Sequence, residues 1–269
     1  PPRSTRKESS AASDVYKRQA YNSFVPKQQC GVTKGRGTDL ATHVLRLLQG
    51  YAKMHDMSLA LVFVDLVKAF DKILREMLFG WFESDSNSGK QLTASEKISL
   101  LVSYGLSEED ATALSQAIDR GCILEQAGVH EHAIAVLKSM HHKSWFAFNG
   151  SDEFLIVGRG GRQGCKFGAC LFNLCYAYDM KIVYSRAEQA GIPLILRWIP
   201  GACPGSTDGQ AVDAIVFDVT FVDDEAFAIT AKVLRKMRHK LELAIQILRE
   251  VFSRHAFEIN WQPSNSENT

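Results

Sequence analysis

Apolar positions along the chain fall into helical, strand-like and unpatterned stretches. Leu40, Val44, Leu47 and Leu48 share one face of a helix expected over about 39–55, with Asp39 as its cap. Residues 59–64 form an unbroken apolar run, which reads as a strand buried on both sides. A helix is expected over about 68–82, ending near Gly80, with a polar loop at 85–90. Thr93-x-x-Glu96 and Ser107-x-x-Asp110 are capping-box starts for helices over about 94–104 and 108–119, and another helix is expected near 130–140. Phe154–Val157 reads as a strand, broken by the glycines of 158–161. A long helix over about 166–190 stops at Gly191, with Pro193 just beyond, and 201–210 reads as a loop. Residues 211–222 and 226–230 are apolar and rich in β-branched side chains. Asp223-Asp224-Glu225 lies between them, predicting a hairpin with acids at its tip. Leu234, Met237, Leu241, Ile245, Leu248 and Phe252 recur at spacings of three and four, an amphipathic helix with cations on its outer face. A last short strand is expected at 257–261, and 27–38 reads as a glycine-rich, cationic loop.

Composition narrows the class. The chain has 269 residues, 46% hydrophobic and 23% charged, which excludes a disordered tail, a collagen-like fibre and a disulfide miniprotein. No apolar run approaches the roughly 20 residues of a membrane helix, and the N-terminus has no secretion-signal core, so an intracellular protein, nuclear or cytoplasmic, is expected. Cys30, Cys122, Cys165, Cys170, Cys175 and Cys203 show no C-x-x-C spacing and read as reduced thiols. His130, His132, His141 and His142 lack the partners for a tetrahedral site and read as surface helix residues. The formal charge of +1 hides a local +6 over 1–36, −5 over 83–152 and +5 over 231–256, a pattern that can grip a polyanion. The chain opens Pro1-Pro2 and its first methionine is Met54, which predicts a piece of a longer product. Residues 9–19 resemble a translated adapter sequence, so 1–20 is read as a disordered, non-native leader.

The candidate chemistry is carried by three acids. Asp65 ends the apolar run at 59–64, and Asp223 and Asp224 sit at the tip of the predicted hairpin. A carboxylate at the end of an apolar strand is costly unless it is hydrated, paired or bound to metal. Two strands bringing acids to one sheet edge make an all-oxygen site suited to Mg²⁺ (or Mn²⁺). Two such ions can activate a hydroxyl and stabilise a leaving phosphate.

Around these acids the chain resembles the reverse transcriptases of non-LTR retrotransposons. Residues 64–71, Val-Asp-Leu-Val-Lys-Ala-Phe-Asp, resemble their motif A. Residues 159–165, Arg-Gly-Gly-Arg-Gln-Gly-Cys, followed by Leu171-Phe172-Asn173, resemble motif B. Phe221-Val222-Asp223-Asp224 resembles motif C. Residues 29–38 resemble the fingers segment before motif A, and 257–260 the approach to motif D. Five matches in order span about 27–267.

The resemblance implies an α+β polymerase palm, with an antiparallel sheet, flanking helices, partial helical fingers and no thumb. The implied division is 21–58 and 83–160 fingers-like, 59–82 and 161–262 palm, and 263–269 a polar tail. Asp65, Asp223 and Asp224 would be catalytic and hold metal. Phe70 would lie under the sugar and favour deoxynucleotides. The backbone amides of 66–69, beginning at Leu66, would bind the triphosphate. Lys34 and Arg36 would reach incoming phosphates, and Gln163 and Gly164 would admit the nascent base pair. The implied partners are an RNA or DNA template with primer and deoxynucleoside triphosphates, with no membrane. An endonuclease and a thumb are expected in a longer parent chain.

Three departures bear on activity. The proline-and-serine turn usual after motif B is Lys166-Phe167-Gly168-Ala169, Val222 replaces the usual alanine, and Asn265 stands where motif D has lysine. An amide cannot serve as a general acid. Two alternatives therefore stand: a decayed, catalytically silent domain that only binds nucleic acid, and a Mg²⁺-dependent α/β phosphotransferase using Asp65 as acceptor.

Overall fold

The structure, a computed structural model, describes residues 21–30, 35–83, 91–147, 150, 153–161, 167–198, 212–222 and 224–260. The expectations for 1–20, 85–90, 201–210 and the tail from 261 lie outside these. In chain order the strands are β1 (Gln29–Cys30), β2 (Ser58–Val64), β3 (Ser144–Ala147), β4 (Phe154–Val157), β5 (Leu194–Trp198), β6 (Val212–Val216), β7 (Asp218–Phe221) and β8 (Asp224–Ala231). The helices are α1 (Thr38–Met54), α2 (Ala69–Lys72), α3 (Arg75–Phe79), α4 (Ala94–Ser103), α5 (Glu108–Asp119), α6 (Ile123–Gln126), α7 (Glu131–His141), α8 (Gly168–Gln189) and α9 (Leu234–Arg254). The architecture is mixed α and β with small sheets, and among the described residues no helix is long and apolar enough to cross a membrane.

Contacts divide the chain into two compact units, one of 1–27, 66–180 and 251–269, the other of 28–65 and 181–250. In the second unit the sheet order is β1-β7-β8-β2. β1 runs parallel to β7, while β7–β8 and β8–β2 are antiparallel. β5 and β6 form a separate ribbon. Leu48 of α1, Leu194 and Ala228 form one cluster of its core, with Val44, Leu59, Leu61 and Val216 packed on it.

Several sequence expectations are corrected here. Asp39 lies in the first turn of α1, and Gly37 is its cap. β2 is buried on neither side throughout: Leu59 and Leu61 meet the core, yet Phe63, further along the same face, is 72% exposed. The single strand expected over 211–222 is two, because the chain changes partners at buried Phe217, from β5 to β8. Neither β5 nor β1 was expected, since each lies in a stretch without clear alternation.

The other unit is mostly helical. The Thr93–Glu96 capping box forms as expected, and Ser107 Oγ accepts from the Asp110 amide at 3.1 Å. The helix expected over 68–82 is broken into α2 and α3. Ile73 and Leu74 are extended, and the Ile73 carbonyl accepts from Gly160 N at 2.7 Å instead of continuing a helix. Residues 171–177 of α8 are all buried, so this helix shows no polar face there. Phe172 is fully buried, stacked on Phe70 at 4.7 Å and Tyr176 at 5.7 Å and edge-on to Phe257 at 6.1 Å. Burying such a ring contributes about 2–3 kcal/mol. The strand expected at 257–261 reduces to one bridge, Leu66 to Ile259. His141 is buried against Phe79, so it is not the surface residue expected, whereas His142, stacked on Phe82, is exposed as expected.

Candidate active site

Strand register brings two acid-bearing segments of the second unit side by side. β2 and β8 pair from Ser58–Ala231 to Val64–Glu225. The pairing ends there: Asp65 follows the last residue of β2 and Asp224 opens β8, so the two acids lie one residue beyond the last pair. Both Asp65 and Asp224 are exposed, whereas their neighbours Val64 and Glu225 point to the other face and are buried. Exposed carboxylates at the end of β2 and at the start of β8 are oxygen donors of the kind a hard cation takes. Among the described residues no three His, Cys, Asp or Glu form a cage, and Asp223 lies outside them.

The hairpin turn carries strain. Phe221 pairs with Asp224, leaving Val222 and Asp223 between them. Val222 has φ +61°, a left-handed conformation that a β-branched side chain rarely adopts. The turn is tight because β7 and β8 pair up to its very edge. Glu225 was expected at the tip, but strand alternation carries it into the interior instead.

Behind that edge lies a buried polar cluster that sequence reasoning missed. Tyr184 Oη donates to Asp218 Oδ2 at 2.7 Å. The Thr220 hydroxyl lies 3.2 Å from the same oxygen and also meets Glu225 Oε2. A hydroxyl has one proton, so it donates to only one of these carboxyls at a time. Burial pushes the Asp218 carboxyl up, against the pull of its hydrogen bonds to Glu225, Tyr184 and Thr220. The readable hint is that Asp218 and Thr220 alternate onto one face of a strand whose other residues are apolar.

The remaining expected residues are dispersed. Arg36 is half-buried in the second unit and pulls the Cys30 thiol down, against the stronger upward push of burial. Leu66 is buried and bridged to Ile259. The expectation that the amides of 66–69 bind a triphosphate is corrected at Val67, whose N–H already donates to Glu258 O at 2.8 Å. Phe70 is half-buried and its ring packs on Phe172. Lys34, Gln163 and Gly164 lie outside the described residues, as do Asp223 and Asn265.

The glycines preceding Gln163 are well defined. Gly160 has φ +86°, and a Cβ there would stand 2.8 Å from the Asp71 carbonyl, so only glycine fits. Gly161 N donates to Phe70 O at 2.8 Å. Buried Arg75 ties this turn down, with Nε on Gly160 O at 2.8 Å and one terminal nitrogen on His141 O and Val157 O at 2.8 and 2.7 Å. Segments resembling motifs A and B are thereby joined through backbone contacts. No family model and no curated protein matches the chain.

Proposed function

We propose that the chain is a reverse transcriptase domain of the non-LTR retrotransposon type, a palm with partial fingers, and that Asp65, Asp223 and Asp224 are its catalytic acids. The observation that carries this is the antiparallel β2–β8 pairing, which runs to Val64–Glu225 and so ends one residue short of both Asp65 and Asp224. The ordered motifs and the tight β7–β8 turn support it. In the proposed reaction a primer 3′-hydroxyl attacks the α-phosphorus of a deoxynucleoside triphosphate and pyrophosphate leaves. Mg²⁺ at the acids would neutralise charge on the attacking and leaving oxygens. Asp65 and Asp224 would bind it through oxygen, and the buried Asp218–Thr220–Glu225 cluster would hold the strand ends that position them.

A silent, nucleic-acid-binding domain is the second reading, favoured by Asn265 at the motif D lysine position. A Mg²⁺-dependent phosphotransferase of the α/β type needs a parallel sheet, and the β7–β8–β2 pairing weighs against it. Primer extension on an RNA template with Mg²⁺ separates them. The expected result is extension by the unaltered chain and a loss of at least about a hundredfold in Asp65→Asn and in Asp223→Ala, because several kcal/mol of charge stabilisation go with the metal. No extension by the unaltered chain, with nucleic-acid binding retained, would establish the silent domain instead.

A further inference from the structure

The first unit holds a cleft of about 1430 Å³, open on one side. Its walls come from 67–75, 139–145 and 156–161. Five cations line it against one carboxylate, Asp71. Arg75 forms part of the floor and is committed to backbone carbonyls, and Lys72 pairs with Glu258 at 3.3 Å. Lys68 and Lys143 stand exposed on the rim. Arg159 lies over the Tyr104 ring at 5.7 Å and donates to the Tyr104 carbonyl, with other N–H groups left over.

The β3–β4 hairpin adds an unusual wall. Trp145 pairs with Ile156, and Phe154 lies diagonal to Trp145, so all three share one face. They are 63%, 75% and 64% exposed, and Trp145 meets Phe154 edge-on at 4.9 Å. A hairpin face this apolar costs stability in water unless something covers it. Aromatic rings beside a cationic channel are the combination that takes up a single strand of nucleic acid: bases stack on the rings and phosphates meet the cations. An acidic protein would leave the rings without stacking partners, and a flat bilayer cannot enter a concave site.

We propose that this cleft binds single-stranded nucleic acid, stacking a base on Trp145 and contacting phosphates through Lys68, Lys143 and Arg159. The binding needs no divalent metal, because the cleft's own cations neutralise the phosphates.

The test is fluorescence anisotropy of labelled twelve-nucleotide oligo(dT) and oligo(rU) with the whole chain in EDTA, beside a blunt duplex of equal length. The expected result is binding of both single strands in preference to the duplex. Trp145→Ala should weaken it about tenfold, Trp145→Tyr should restore most of the loss, and Lys143→Glu should weaken it by a similar factor. Circular dichroism melts confirm that each variant is folded. Unchanged affinity in folded Trp145→Ala and Lys143→Glu overturns the proposal, as does equal binding of the duplex. Sedimentation with anionic phosphatidylserine vesicles, lost in these variants while oligonucleotides do not bind, would assign the cleft to a membrane surface and overturn it too. Primer extension is read separately, so failure of the cleft and failure of the polymerase reading are distinguishable.

Discussion

Arg75 and Glu76 are adjacent, charged and almost wholly buried. Such neighbours persist only when each finds partners. Arg75 finds three backbone carbonyls, and burial lowers its pKa only against the opposing pull of Glu76 and Tyr104. Glu76 is less well served. The Tyr104 hydroxyl lies 3.5 Å from its Oε1 and 3.3 Å from the Gly158 carbonyl, with one proton to give to either, and burial pushes the carboxyl up more than its own backbone hydrogen bond and Arg75 pull it down. A carboxyl whose folded pKa is raised keeps its proton longer than in the unfolded chain. Ionisation therefore favours unfolding, and the stability this group contributes is full below its unfolded value and lost as pH rises through the raised one. Glu76→Gln keeps an acceptor for Tyr104 and cannot ionise. The melting temperature of the variant minus that of the unaltered chain should thus climb as pH is raised from 4 to 8. A difference that stays flat or falls across that range would show that the Glu76 charge is not penalised.

At the scale of elements, what local chemistry decides was legible and what distant partners decide was not. The starts of α4 and α5 were readable because their caps lie within four residues. The break between α2 and α3 was not, because it depends on Gly160, far along the chain, bonding the Ile73 carbonyl and the Arg75 side chain. The β7–β8 hairpin was legible, but its turn position was not: Glu225 looked like a third tip acid until pairing with Thr220 and Val64 set its face. The turn also makes a prediction. A left-handed β-branched residue costs about 1–2 kcal/mol, of which glycine's greater unfolded freedom returns about 0.5–1. Val222→Gly should therefore raise stability by up to about 1 kcal/mol, a few degrees in a thermal melt, while Val222→Ile should give no gain. If glycine melts no higher than isoleucine, the backbone at Val222 is not strained.

For the whole molecule, the acids proposed as catalytic were legible because each lies in a short motif, whereas the cleft was hidden because three separated segments build it. Charge along the chain even pointed away from it, since Lys143 belongs to the acidic stretch 83–152. A chain of net charge +1 has little long-range attraction for a polyanion, so any nucleic-acid affinity must come from local clusters. Salt dependence counts them. With Lys68, Lys143 and Arg159 on phosphates, the logarithm of the binding constant should fall against that of salt with a slope of roughly −2, from about −0.7 per contact on a single strand. Lys143→Ala should remove one contact and bring the slope to about −1.4. Trp145→Ala should lower affinity by a constant factor at every salt concentration and leave the slope alone, because stacking releases no counterions. Titrations at three or four ionic strengths in EDTA distinguish the two effects. A slope unmoved by Lys143→Ala, or changed by Trp145→Ala, would mean that the ring and the lysine do not divide base and phosphate between them.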